Sequence, residues 1–67
     1  MIYGIGDDVV CIKEDMMPKF IGTEWVIIEI IGQLYICECK DRIIMEESYP
    51  FKEHEIVLST PLIRELL

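Results

Sequence analysis

Residues 23–39, TEWVIIEIIGQLYICEC, constrain the chain more than any other stretch. Two runs rich in β-branched and aromatic residues, 24–31 and 34–39, are separated only by Gly32 and Gln33. Two residues are enough to reverse an antiparallel strand pair when a glycine supplies the positive φ the tight turn requires, so this stretch predicts a β-hairpin. Both faces of the first run are apolar, whereas a strand with one wet face should alternate. Glu24, Val26, Ile28 and Ile30 share one face; Trp25, Ile27, Glu29 and Ile31 share the other. In the second run Tyr35, Cys37 and Cys39 oppose Leu34, Ile36 and Glu38. A mid-strand glutamate marks the solvent side. This reading puts Val26, Ile28, Ile30, Tyr35, Cys37 and Cys39 in the core, completed by Val9 or Val10, Ile44 and Ile56. It leaves Trp25, Ile27, Ile31, Leu34 and Ile36 as an outer apolar set rimmed by Glu29 and Glu38.

Around the hairpin, Val9–Ile12 is a short β-branched run and predicts a first strand of about five residues. Pro18 and Gly22 punctuate a following loop whose methionines and Phe20 suit a segment folded over the core. IIME at 43–46 predicts a fourth strand, ended by ESYP because Pro50 cannot extend a central ladder. FKEHE suits one turn of 3₁₀ helix, and Ile56–Leu58 a last strand. Ser59 or Thr60 as N-cap with Pro61 in the first turn predicts a short C-terminal helix or an ordered tail. Repeats, linkers and low-complexity tracts are absent. Five short strands, one long loop and a helical turn before the last strand predict a mainly β fold, a small antiparallel barrel in a single domain spanning residues 1–67, with the barrel at about 4–58 and a tail at 59–67.

The order GDDVVCI, loop, FIGTEWVIIEI, LYICEC, YPFKEHEIVL resembles the small SH3-like barrels, including those with a KOW-type pattern and many short phage and bacterial proteins. The matching residues are Gly6-Asp7 before the first strand, the Gly22 to Val26 step into the second, and Phe51 with KEHEI leading into the last. The resemblance implies a five-stranded SH3-like barrel in a bacterial or phage cytosol. In the nucleic-acid-binding members the loops tend to be basic and glycine-rich. Here Trp25 stands where that pattern usually has a second glycine, and Glu14, Asp15 and Glu24 flank it.

Charge and size narrow the chemistry. Thirteen acidic against six basic side chains give the 67-residue chain a net charge of −7, which repels phosphate backbones and disfavours nucleic-acid binding unless Lys13, Lys19, Lys40 and Lys52 converge. A chain this short is near the size at which burial alone offsets conformational entropy, so help from a second chain is reasonable. Glu29 interrupts the longest apolar run well short of a membrane span, no basic leader opens the sequence, and an odd count of three cysteines fits a reducing compartment, so a cytoplasmic location is expected.

Cys11, Cys37, Cys39 and His54 make a nominal three-cysteine, one-histidine zinc set, but the C-x-C spacing lacks the usual loop geometry, and core packing of the cysteines is the expected role. His54, between Glu53 and Glu55, has neither a nucleophile nor a phosphate loop with it. We therefore expect no catalysis, no cofactor and no metal. Two functions are compatible with this pattern. The first is a non-enzymatic protein-interaction module using Trp25, Ile27, Ile31, Leu34 and Ile36, with a protein partner or a second copy as the occupant; alternatively, the chain's own loop or tail covers that face. The second is an acidic inhibitor that imitates nucleic-acid phosphates through Asp7, Asp8, Glu14, Asp15, Glu46, Glu47, Glu53 and Glu55.

Overall fold

The hairpin forms within the boundaries expected. A computed structural model describes residues 2–12, 21–41, 43 and 46–60. Its elements are β1 (Asp8–Cys11), β2 (Glu24–Ile31), β3 (Leu34–Cys39), β4 (Tyr49–Lys52), a single 3₁₀ turn (Glu53–Glu55) and β5 (Ile56–Leu58). Gly32 has φ 59° and Gln33 has no positive φ, the type II′ arrangement whose twist matches that of the flanking strands. The five strands form one antiparallel sheet in the order β4-β3-β2-β1-β5. No ladder joins β4 to β5, so the sheet is open and not the closed barrel expected; the 3₁₀ turn links its two edge strands.

Which face of the hairpin turns inward differs from the sequence expectation. Trp25 pairs with Cys39 and Ile27 with Cys37, but the next pair is Glu29 with Ile36, so β2 carries one extra residue between Ile27 and Glu29. A bulge of this kind shifts the side-chain alternation by one. Before it the odd residues Trp25 and Ile27 point inward; after it the even residue Ile30 does, opposite Tyr35. Trp25 and Ile27 are buried, while Ile28, expected in the core, is 44% exposed and Val26 is only partly buried. The energetic reason is the tryptophan, whose ring buries far more apolar area than a valine or isoleucine could in the same place. Its ring meets Phe51 edge-on with centroids 4.9 Å apart and lies 6.3 Å from Tyr49, itself 4.8 Å from Phe51. Such pairs add about 0.5–1.5 kcal/mol each beyond area burial. The indole N–H donates to Thr23 Oγ1 at 2.7 Å, so nothing polar is stranded.

The fourth strand is also displaced. Asp41 Oδ1 accepts a hydrogen bond from the Ile43 N–H at 3.0 Å, and Ile43 lies in a turn and is 96% exposed. Glu46 and Glu47 lie in a bend, and the strand begins only at Tyr49. β4 is an edge strand, which is why Pro50 is tolerated opposite Ile36. The gain is that Phe51 and Tyr49 reach Trp25 from two strands away, which requires the sheet to curl around its core. Ile44, the 13–20 loop and the 61–67 tail lie outside the described residues.

The segment before β1 closes one end of that core. The Asp7 N–H donates to Gly4 O and the Gly4 N–H to Asp7 Oδ2, and Gly6 takes φ 93° at the third position of this type II turn. Gly6 N donates to Ile27 O at 2.8 Å, which pins the turn beside the β2 bulge. Tyr3 then packs edge-on against Tyr35 at 5.4 Å and donates from its hydroxyl to Ile56 O, tying β3 to β5, which are not neighbours in the sheet.

Candidate functional site

The outer face of the hairpin is the feature that burial of Trp25 leaves behind. Val26, Ile28, Ile31, Leu34 and Ile36 lie on it, with Pro50 and Lys52 of β4 alongside Ile36 and Leu34. Ile31 is 54% exposed, Ile28 44%, and the remaining aliphatics are half-buried by their strand neighbours. Of the outer set read from sequence, Ile31, Leu34 and Ile36 occupy this face, whereas Trp25 and Ile27 do not and cannot anchor a partner on it. Val26 and Ile28 replace them. No residue type in β2 announces the bulge, but Pro50 and the aromatics beside it are a sequence signal for the edge strand that frames the face.

The charges on this surface follow from the register. Glu29 sits opposite Ile36, Glu38 opposite Val26, and Lys52 opposite Leu34. Lys40, just past β3, is 2.9 Å from Asp8 and 3.8 Å from Glu24, so it is committed within the fold. Lys52 is at the other end of β3 from Lys40, beside Leu34, so these two lysines do not converge. Lys13 and Lys19 lie outside the described residues.

The carboxylates proposed as phosphate imitators have varied surroundings. Asp7 caps the Gly4 turn and Asp8 pairs with Lys40. Glu53 accepts from Tyr35 Oη at 3.2 Å and from the Ile2 N–H at 3.3 Å. Glu55 is buried and accepts from the Lys52 N–H at 2.7 Å, locking the entry to the 3₁₀ turn. Glu46 and Glu47 are exposed in their bend, and Glu14 and Asp15 lie outside the described residues.

Cys11, Cys37 and Cys39 are buried together in the core. Burial, with Cys11 close by, pushes the Cys37 thiol up to about 12, and burial likewise raises Cys39. Held protonated and buried, Cys37 and Cys39 are poor nucleophiles. His54 is exposed on the 3₁₀ turn, away from them, and lines an open groove with Gln33, Leu34, Lys52 and Glu53. Among the described residues no three His, Cys, Asp or Glu side chains are grouped to hold a metal ion. The Tyr3 hydroxyl is raised, first by burial and then by Glu53 and Tyr35. It donates to a backbone carbonyl, a structural use of the group.

Among the described residues no helix is long and apolar enough to cross a membrane. No family model, curated protein or solved structure matches the chain.

Proposed function

We propose that the protein is a non-enzymatic interaction module that docks a protein partner on the outer face of the β2–β3 hairpin. The observation that carries this reading is the contiguous aliphatic surface of Val26, Ile28, Ile31, Leu34 and Ile36 on a chain of only 67 residues. Two of its isoleucines are about half exposed while every large aromatic of β2 to β4 is turned away from it. Contiguous apolar surface of this kind is characteristic of interaction sites. The strand order and the 3₁₀ turn between the two edge strands support an SH3-like arrangement of the sheet. A cytoplasmic setting accords with three thiols held unbridged. The acidic, phosphate-imitating alternative draws less support, because Asp7, Asp8, Glu53 and Glu55 are engaged within the fold.

The test is affinity capture from a lysate with wild type, Ile31→Asp, and Ile43→Asp as a control exposed residue in the turn ahead of β4. Bound proteins lost with Ile31→Asp and kept with Ile43→Asp are the expected result, with circular dichroism unchanged in both. Equal capture by all three chains would remove the hairpin face from the mechanism.

A further inference from the structure

We infer that the partner on the outer hairpin face presents one amphipathic helix, laid along β2 and β3, with an arginine or lysine at its centre seated between Glu29 and Glu38. This rests on the docking role proposed for that face and specifies the chemistry of its occupant. The register places the charge. Glu29 is opposite Ile36, and Glu38 is two residues further along β3, opposite Val26, so both carboxylates stand within the aliphatic strip rather than around it. Glu29 is exposed and, among the described residues, has no hydrogen bond or ion pair. Of the described lysines, Lys40 is held by Asp8 and Glu24, and Lys52 is two strands from Glu29, beside Leu34. A partner that covers the strip therefore covers the carboxylates as well. Burying an acid without a counterion is costly, whereas a cation brought by the partner satisfies it and is drawn in by the net charge of −7.

The sheet decides the form of the segment. β2 is paired on both sides, by β1 and β3, and β3 by β2 and β4, so neither strand has a free edge to which an extended peptide could add. A segment lying over their side chains must satisfy its own backbone, and a helix does so. The sheet curls around its core, which makes this face convex across the strands, and a single helix running along them needs no matching hollow. From Val26 to Ile31 is about 17 Å at about 3.3 Å per residue, the length of a helix of about eleven residues at about 1.5 Å each. The helix diameter of about 10 Å covers two strands about 5 Å apart. Glu29 and Glu38 are diagonal neighbours, with Cα atoms about 7–8 Å apart, so one cation between them meets both. Arginine, planar and weakly hydrated, suits that place better than lysine.

Short labelled synthetic helices with a leucine face and a central Arg, Gln or Glu test this by fluorescence anisotropy at about 150 mM salt, where long-range attraction to the acidic chain is screened within about 8 Å. Wild type is expected to bind the Arg helix about tenfold or more tightly than the Gln helix, and the Glu helix least. Glu29→Gln should remove most of that preference, while Glu47→Gln, the same change of charge in the exposed bend before β4, should preserve it. Both positions are exposed, so circular dichroism should be unchanged in both. Equal binding of the Arg and Gln helices overturns the proposal, as does a preference for Arg that the two variants reduce alike. Equal binding that Ile31→Asp abolishes overturns the cation while leaving the docking role standing. Failure of every helix to bind, with lysate capture still dependent on Ile31, overturns the helical occupant and again spares the docking role. A wild-type dimer in light scattering that Ile31→Asp disperses overturns the proposal in favour of a second copy.

Discussion

The two faces of the β2–β3 hairpin are almost equally apolar in sequence, yet they have opposite fates. The inner face carries Trp25, Ile27, Ile30, Tyr35, Cys37 and Cys39, all but the half-buried Ile30 sealed from solvent; the outer carries Val26, Ile28, Ile31, Leu34 and Ile36, all partly or largely open. Total hydrophobicity did not choose between them. Shape did: the inner set contains the two aromatic rings of the hairpin, which reach Phe51 and Tyr3 from elsewhere in the fold, whereas the outer set is purely aliphatic. An aliphatic strip left over after the aromatics are buried contributes less to the core than the face that holds the rings.

The largest expected contrast comes from truncating one residue on each face. Trp25→Ala removes a fully buried ring from the aromatic cluster and should cost about 3–5 kcal/mol, a large share of the stability of so small a domain. Ile31→Ala should stay within about 0.5 kcal/mol, because its side chain is already half in water. Urea unfolding of both variants measures the difference; equal losses would mean that the outer face is as structural as the inner one.

Alkaline pH probes the inner face without mutation. The Cys37 thiol stays protonated to about 12 in the folded chain, while an unfolded thiol ionises near its ordinary value of 9.0. The folded state therefore holds a proton that the unfolded state releases. The contribution of Cys37 to stability is unaffected below about pH 9 and falls as pH rises from 9 towards 12, by about 1.4 kcal/mol for each pH unit within that window. Denaturant midpoints across that range, compared with Cys37→Val, check the sign. In the same spirit, a thiol reagent at neutral pH should label the native chain far more slowly than the unfolded one. Rapid native labelling of Cys37 would contradict its placement.

A milder loss than that of Trp25 is expected from removing the device that separates the faces. Deleting Ile28 removes the extra residue and lets β2 continue in one register, with Trp25, Ile27 and Ile30 still inward. The deletion should give a folded chain weakened by about 1–2 kcal/mol, the cost of a lost local bend. A chain that fails to fold would show that the bulge is needed to curl the sheet, and not merely compatible with it.

Much of this was legible from local signals. The turn glycine and the β-branched runs locate the hairpin to the residue, and FKEHEIVL gives both the 3₁₀ turn and the last strand, because these depend on neighbours in the chain. The fourth strand was misplaced for a physical reason. IIME has the stronger intrinsic β pattern, but YPFK brings two aromatic rings to Trp25, a contact between residues 24 and 26 positions apart that no local window registers. The candidate site followed the same division: Ile31, Leu34 and Ile36 lie beyond the bulge or on the unbulged strand, where alternation reads correctly, while Trp25 and Ile27 lie before it, where one added residue inverts the reading.

The sequence by itself therefore determined a mainly β chain, the hairpin with its tight turn, the closing 3₁₀ turn and last strand, and a surplus of apolar side chains for one small core. The tertiary structure alone decided which side of the hairpin becomes that core, where the fourth strand begins and that the sheet stays open at its edges. Those choices belong to long-range aromatic packing, whose energy exceeds the local preferences it overrides.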